Sequence, residues 1–77
     1  MIRVYTLPKC TKCKAIIKFL QEKNLNYEER NAIEYLSELL PRGFVTVPVV
    51  EVNEEFYKIE TLDQLKFILQ KHSYKVD

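Results

Sequence analysis

Pro8-Lys9-Cys10-Thr11-Lys12-Cys13-Lys14-Ala15 is the stretch on which the reading of this chain turns. It holds both cysteines of the sequence, spaced Cys-x-x-Cys. The residues before it, Ile2 to Thr6, alternate apolar and polar and predict a short strand. The residues after it, with Cys13, Ile16, Ile17 and Leu20 at helical spacing and Phe19 widening the stripe, predict a helix from about Thr11 to Lys23. Cys10 therefore falls at the helix N-terminus, where unpaired backbone N–H groups and the helix dipole favour negative charge. A thiolate is negative, so a cysteine placed there becomes reactive. Cys13, three residues on, lies on the same side of the helix.

Working outward, Asn24 is a left-handed stop for the first helix, followed by apolar Leu25. Tyr27 to Arg30 is a second strand, and a helix between two strands implies a crossover with parallel pairing. Asn31 with Glu34 three residues later predicts a capping box opening a second helix, whose buried stripe is Ile33, Leu36, Leu39 and Leu40. Pro41 and Gly43 end that helix. Phe44 to Val47 leads through Pro48 into a strand, Val49 to Val52. Asn53-Glu54 is a hairpin turn lacking the usual glycine, and Glu55 to Ile59 is the returning strand. Thr61 with Gln64 is a second capping box, and Leu62, Leu65, Ile68 and Leu69 form the stripe of a last helix. Ser73 to Asp77 is expected to fray.

The totals bound what such a chain does. Seventy-seven residues, 47% hydrophobic and 30% charged, supply one core and a soluble surface. No run reaches membrane-spanning length and no signal peptide is evident, so the expected compartment is the reducing cytosol, where two cysteines read as catalytic or metal-binding. A net charge of +1 gives no case for nucleic-acid binding. The charge is uneven, however. Arg3, Lys9, Lys12, Lys14, Lys18 and Lys23 face only Glu22 in the first third. That is either a solvated helix face or a positive field that steers an acidic partner and stabilises a thiolate. Lys9 and Lys12 are the charges placed to lower the Cys10 pKa. His72 sits in the last turn of a helix, where partial positive charge is favourable in any case. Tyr5 and Tyr57 read as core residues, and Glu28-Glu29 and Glu54-Glu55 as solvated charges. The rival to redox chemistry is a zinc- or iron–sulfur-binding interaction module using the same cysteines, although a zinc site wants four ligands and the chain offers Cys10, Cys13 and His72.

Cys10-Thr11-Lys12-Cys13 opening a helix, this order of elements, and Thr46-Val47-Pro48 ahead of a strand together resemble the thioredoxin superfamily, over nearly the whole chain. The likeness is strongest to glutaredoxins and the glutaredoxin-like NrdH redoxins, whose Gly-Phe…Pro-Val-Val segment is similar to Gly43-Phe44 with Pro48-Val49-Val50. The resemblance implies a thioredoxin-like α/β fold, βαβαββα, with a four-stranded mixed sheet covered by three helices, as a single glutaredoxin-like domain over residues 1–77. It implies a small dithiol oxidoreductase needing no metal or organic cofactor. Reduced Cys10 attacks a disulfide in a protein substrate, Cys13 resolves the mixed disulfide, and a thioredoxin-reductase-type enzyme or glutathione restores the dithiol. Ribonucleotide reductase is the client the NrdH likeness suggests. The protein would act as a monomer in the cytoplasm, on neither membrane nor nucleic acid. The resemblance also implies a cis bond before Pro48, with Thr46, Val47 and Pro48 presenting backbone to substrate alongside Lys9 and Lys12, and a docking position at the start of the last helix, Thr61, Leu62 and Asp63. Two departures bear on glutathione. Glu60-Thr61 replaces the family's paired glycines, and Leu7 stands where a basic residue is common. Glu60 is thereby expected to repel a ligand carboxylate, making glutathione a weak partner.

Overall fold

The computed structural model describes residues 1–76. It contains β1 (Ile2–Thr6), α1 (Thr11–Glu22), β2 (Glu28–Asn31), a helical segment around α2 (Leu36–Leu39), the hairpin β3 (Val49–Val52) and β4 (Glu55–Lys58), and α3 (Leu62–Lys71). The order in the sheet is β2-β1-β3-β4, with β1 parallel to β2 and antiparallel to β3. This is the expected thioredoxin-like α/β architecture with its four-stranded mixed sheet. The second strand starts one residue later than expected, and Asn31 both ends it and caps the next element through Ile33 N–H at 2.8 Å.

Period-two alternation decides which face each strand residue serves. Ile2 and Val4 stand opposite Val52 and Val50, and all four pack with Ile16, Phe19 and Leu20 of α1 and Leu65, Ile68 and Leu69 of α3. Tyr5 and Val49, a cross-strand pair, turn to the other face and pack with Ala32 and Leu39. Two apolar layers thus sandwich the sheet.

Left-handed residues close the helices, and only one is glycine. After α1, Asn24 takes φ 57°, letting its N–H reach the Gln21 carbonyl and the Leu25 N–H reach the Leu20 carbonyl. After α3, Ser73 takes φ 70° and the bonds run from Ser73 to Gln70 and from Tyr74 to Leu69. Both are the paired C-terminal bonding of a Schellman motif. Gly43, at φ 88°, ends the middle segment as Phe44 N–H bonds the Leu39 carbonyl. The turn at Ser73 corrects the expectation of a frayed end. It folds the chain back so that Val76, 1% exposed, joins the core and Tyr74 packs against it; Asp77 lies outside the described residues. Asn53 and Glu54 both take positive φ, so the hairpin turns as expected without glycine.

The middle helix is corrected too. Residues Ala32–Tyr35 and Leu40–Arg42 are 3-10 turns flanking a single α turn. With three residues per turn instead of 3.6, the stripe does not stay on one face. Ile33, Leu36 and Leu40 are exposed, and only Ala32 and Leu39 are buried. Leu62 likewise leaves the α3 stripe and is exposed.

One buried polar network runs through the sheet. Tyr5, fully buried, donates its hydroxyl hydrogen to Glu51 at 2.8 Å and accepts from Arg30 at 3.1 Å. Arg3 bridges Glu51 and Glu28, and Arg30 also holds Glu28. Thr6 donates to Glu29 at 2.9 Å. Glu28 and Glu29 remain open to solvent, as expected, and each also bonds a residue of the sheet. Burial, then the bond to Glu51, push the Tyr5 hydroxyl up to about 12. In the unfolded chain Tyr ionises near ~10. Its folded pKa is raised, so this stabilisation is complete below pH ~10 and lost as pH rises towards about 12. Tyr5→Phe should cost about 1–2 kcal/mol at neutral pH through the lost hydrogen bonds. It should also remove roughly 2 kcal/mol of the alkaline loss of stability. Urea unfolding of both proteins at pH 8 and pH 11.5 checks this; parallel pH dependences would contradict it.

Candidate active site

Strand directions gather the sequence-predicted segments at one end of the sheet. Thr6 ends β1 opposite Asn31, the end of β2. Val49 begins β3 beside Tyr5, and Lys58 ends β4 opposite Val49. The loops carrying Cys10, Thr46 to Pro48, and Glu60 to Asp63 therefore all leave the sheet from this end. The Val47–Pro48 bond is cis. Pro48 is buried and accepts from Ile59 N–H at 3.2 Å, which ties the β3 loop to the approach to α3. Val47 is half-buried; Thr46, Thr61, Leu62 and Asp63 are exposed.

Cys10 is the N-cap of α1. A tight turn delivers it there, closed by its N–H on the Leu7 carbonyl at 3.2 Å. Its backbone is extended (φ −89°, ψ 105°) and its Sγ accepts the Cys13 N–H at 3.1 Å. The sulfur thus fills the place that a serine or aspartate oxygen takes in an ordinary cap. It is a disulfide sulfur in this structure, since Cys10 and Cys13 are bonded with a Cα–Cα separation of 5.2 Å. A reduced Cys10 thiolate in the same position would receive the same N–H and the positive end of the helix. Cys13 is 2% exposed while Cys10 is half-exposed. Of the two residues, Cys10 is the one that reaches solvent.

The lysines divide differently from expectation. Lys12 does not stand beside the sulfur as a bare charge: its Nζ meets Glu60 Oε1 at 3.1 Å. Lys58 meets the other oxygen of Glu60 at 3.2 Å. The bond from Lys12, then that from Lys58, hold the Glu60 carboxyl below its usual range. Glu60 is therefore an ionised carboxylate paired with two lysines rather than a free charge. Lys58 was not singled out from sequence; its only signal there is its position two residues before Glu60. Lys9 is exposed in the turn before Cys10. Thr61 caps α3 as expected, accepting Gln64 N–H at 3.1 Å, while the Gln64 side chain accepts from Glu60 N–H at 2.8 Å.

Behind Cys13 an open groove of about 520 Å³ follows α1, walled by Lys14, Lys18 and Glu29. His72 stands elsewhere, capping the end of α3 and bonded to Tyr57 at 2.9 Å and Glu55 at 3.1 Å. It is structural, and Glu55 is paired. Among the described residues no group of three or more His, Cys, Asp or Glu is placed to hold a metal ion. No helix among them is long and apolar enough to cross a membrane.

Known proteins bear on this geometry. Among curated proteins no match was found. Among solved structures, the thioredoxin-like protein BC3987 is 27% identical, with TM-score 0.76 over 90% of this chain and all 100% of that one. A mutant form of it is 25% identical, with TM-score 0.77 over 90% and 99%. The glutaredoxin-like protein NrdH-redoxin from Escherichia coli, described with a thioredoxin-like activity profile, is 23% identical, with TM-score 0.75 over 87% and 92%; that likeness is one of fold. The family model for glutaredoxin matches residues 2–57, which span the cysteine pair, the Thr46 to Pro48 loop and all but the end of the sheet. The chain therefore belongs to the glutaredoxin family, and its paired cysteines make it a thiol–disulfide oxidoreductase.

Proposed function

We propose that this protein reduces disulfides in other proteins, with Cys10 as the attacking thiolate and Cys13 as the resolving thiol. The observation that carries this reading is the asymmetry of the pair. Cys10 caps α1 half-exposed, and Cys13 is buried within the same turn. The Cys10 thiolate attacks one sulfur of the substrate disulfide, and the other sulfur leaves and takes a proton. Cys13, losing its proton, then attacks Cys10 Sγ, releasing the reduced substrate and leaving Cys10–Cys13 oxidised. Two electrons pass from the dithiol to the substrate. Lys9 and Lys12 flank the exposed sulfur in this reading, the backbone of Thr46, Val47 and Pro48 receives the extended substrate, and Thr61, Leu62 and Asp63 border it. The protein works as a single domain over residues 1–77 and as a monomer in the cytoplasm.

The donor we propose is a thioredoxin-reductase-type enzyme, with glutathione the weaker one. Thr61 already caps α3, and Leu7 packs half-buried beside the second core, so neither offers a ligand carboxylate what the family's glycines and basic residue offer. Ribonucleotide reductase is the proposed client, on the likeness of Gly43-Phe44 and Pro48-Val49-Val50 to the NrdH segment. The test offers the oxidised protein thioredoxin reductase with NADPH and, separately, glutathione with its reductase, following insulin reduction. Faster turnover from the thioredoxin reductase is expected; faster turnover from glutathione would reverse the donor assignment. Transfer of the reduced protein's electrons to a ribonucleotide reductase tests the client. A stoichiometric metal that resists dialysis would instead favour the metal-binding alternative.

A further inference from the structure

We propose that Glu60 is an internal competitor for an anion subsite formed by Lys12 and Lys58, so that the active-site rim sorts low-molecular-weight thiols by charge and disfavours those that carry carboxylates. The inference rests on the oxidoreductase reading above and names the selectivity of that same site. Two cations from separate elements converge on one carboxylate, one lysine to each oxygen, at 3.1 and 3.2 Å. Lys12 lies in the first turn of α1, two residues beyond Cys10, and Lys58 ends β4. The carboxylate between them is held in place by its own backbone. Gln64 accepts the Glu60 N–H at 2.8 Å and donates to the Lys58 carbonyl at 3.0 Å, which stitches the loop to both β4 and α3. A small recess of about 50 Å³ opens directly beside the cluster, bordered by Lys12, Ala15, Glu60, Thr61 and Leu62.

Lysines placed this way suit a carboxylate, and the chain supplies one. Glu60 stays ionised through the physiological range, because Lys12 first and Lys58 second hold its carboxyl low. An intramolecular ligand acts at a high effective concentration, so a free carboxylate must displace it. An uncharged thiol needs no displacement. The cluster is also open to water, with Lys12 and Glu60 each 59% exposed, so the competition is modest and sensitive to salt.

Chemical reduction of the oxidised protein reads this selectivity. With glutathione, a first thiolate attacks Cys10 Sγ, the Cys10–Cys13 bond breaks, and Cys13 leaves and is protonated. A second thiolate attacks the glutathione sulfur of that mixed disulfide and releases oxidised glutathione with the Cys10 thiolate. Two thiols are oxidised and one disulfide is reduced. Dithiothreitol performs the same exchange without a carboxylate. The measurement is the ratio of the glutathione rate to the dithiothreitol rate at low salt. Glu60→Gln should raise that ratio about five- to tenfold. Adding Lys58→Gln to it should take most of the gain away, and ~0.5 M salt should shrink it. An unchanged ratio in Glu60→Gln overturns the proposal. So does a gain that survives Lys58→Gln, because the lysine would then have no part in it. If the ratio behaves as expected but the wild type fails to reduce insulin, the oxidoreductase reading fails alone and the charge selectivity stands.

Discussion

Replacing Cys10 by serine should reduce catalysed disulfide reduction to the uncatalysed rate. A serine hydroxyl in the same cap position keeps the bond from the Cys13 N–H but offers no nucleophilic thiolate at neutral pH. Stability should therefore change little while turnover disappears, a separation that a merely structural cysteine would not give. Cys13→Ser should differ, retaining the first attack and losing the second step, so that turnover stalls after one exchange. The geometry favours this proposed order. Cys10 is half-exposed and its Sγ receives a backbone N–H at 3.1 Å, whereas Cys13 is buried. Alkylation of the reduced protein should accordingly strike Cys10 first, and should proceed below pH ~8.5, where an ordinary thiol is largely protonated. Mass spectrometry of briefly alkylated protein checks the order; preferential labelling of Cys13 would contradict it.

Leu65→Ala should destabilise the fold by about 2–5 kcal/mol. Leu65 is fully buried on α3 within the main core layer, together with Val50, Leu20 and Leu69. Deleting its branched end removes the burial of those carbons and leaves a cavity in a close-packed layer. A domain of this length commands roughly 4–12 kcal/mol in all, so one such change takes a large share of it. Thermal melts should show Tm lower by on the order of 10–20 °C. Ile33→Ala, by contrast, should move stability by about 0.5 kcal/mol or less, because Ile33 is 60% exposed. Comparable losses in the two variants would contradict the placement of the core and restore the continuous stripe across the middle helix.

That contrast marks where the sequence was informative. Helices with strong periodicity were legible: α1, expected over Thr11 to Lys23, runs Thr11–Glu22 and stops at left-handed Asn24, and α3 opens at Leu62 behind its expected Thr61 cap. The middle segment was not. Pro41 and two short 3-10 turns change the rise and rotation per residue, and of the 3.6-residue stripe read from Ile33, Leu36, Leu39 and Leu40 only Leu39 is buried. The last residues misled in the opposite direction. Ser73 is an uncommon left-handed residue, so nothing local announced that Tyr74 and Val76 would fold back onto the core.

The site divides along the same line. Cys10 and Cys13 were legible because a cap, a strand and a helix lie within a few residues of them. Glu60 was legible as a departure from the family pattern, but its ion pairing was not. Lys12 reaches it from 48 residues away, across chain reversals that no local pattern encodes, while Lys58 is a near neighbour two residues before it. The same holds for Tyr5, whose partners Arg30 and Glu51 lie 25 and 46 residues away. Such pairings follow from sheet register, Arg3 beside Glu28 and Glu51 for example, and emerge only once the strands are aligned.

The most direct test of the central claim is to capture the mixed disulfide itself. Reduced Cys13→Ser protein is mixed with a protein disulfide substrate, quenched with acid and mapped by peptide mass spectrometry without reductant. Cys10 should be joined to a substrate cysteine in a stable one-to-one adduct, and Cys10→Ser protein treated identically should form none. An adduct formed through Cys13 in the Cys10→Ser protein, with none on Cys10 in the Cys13→Ser protein, would contradict the account.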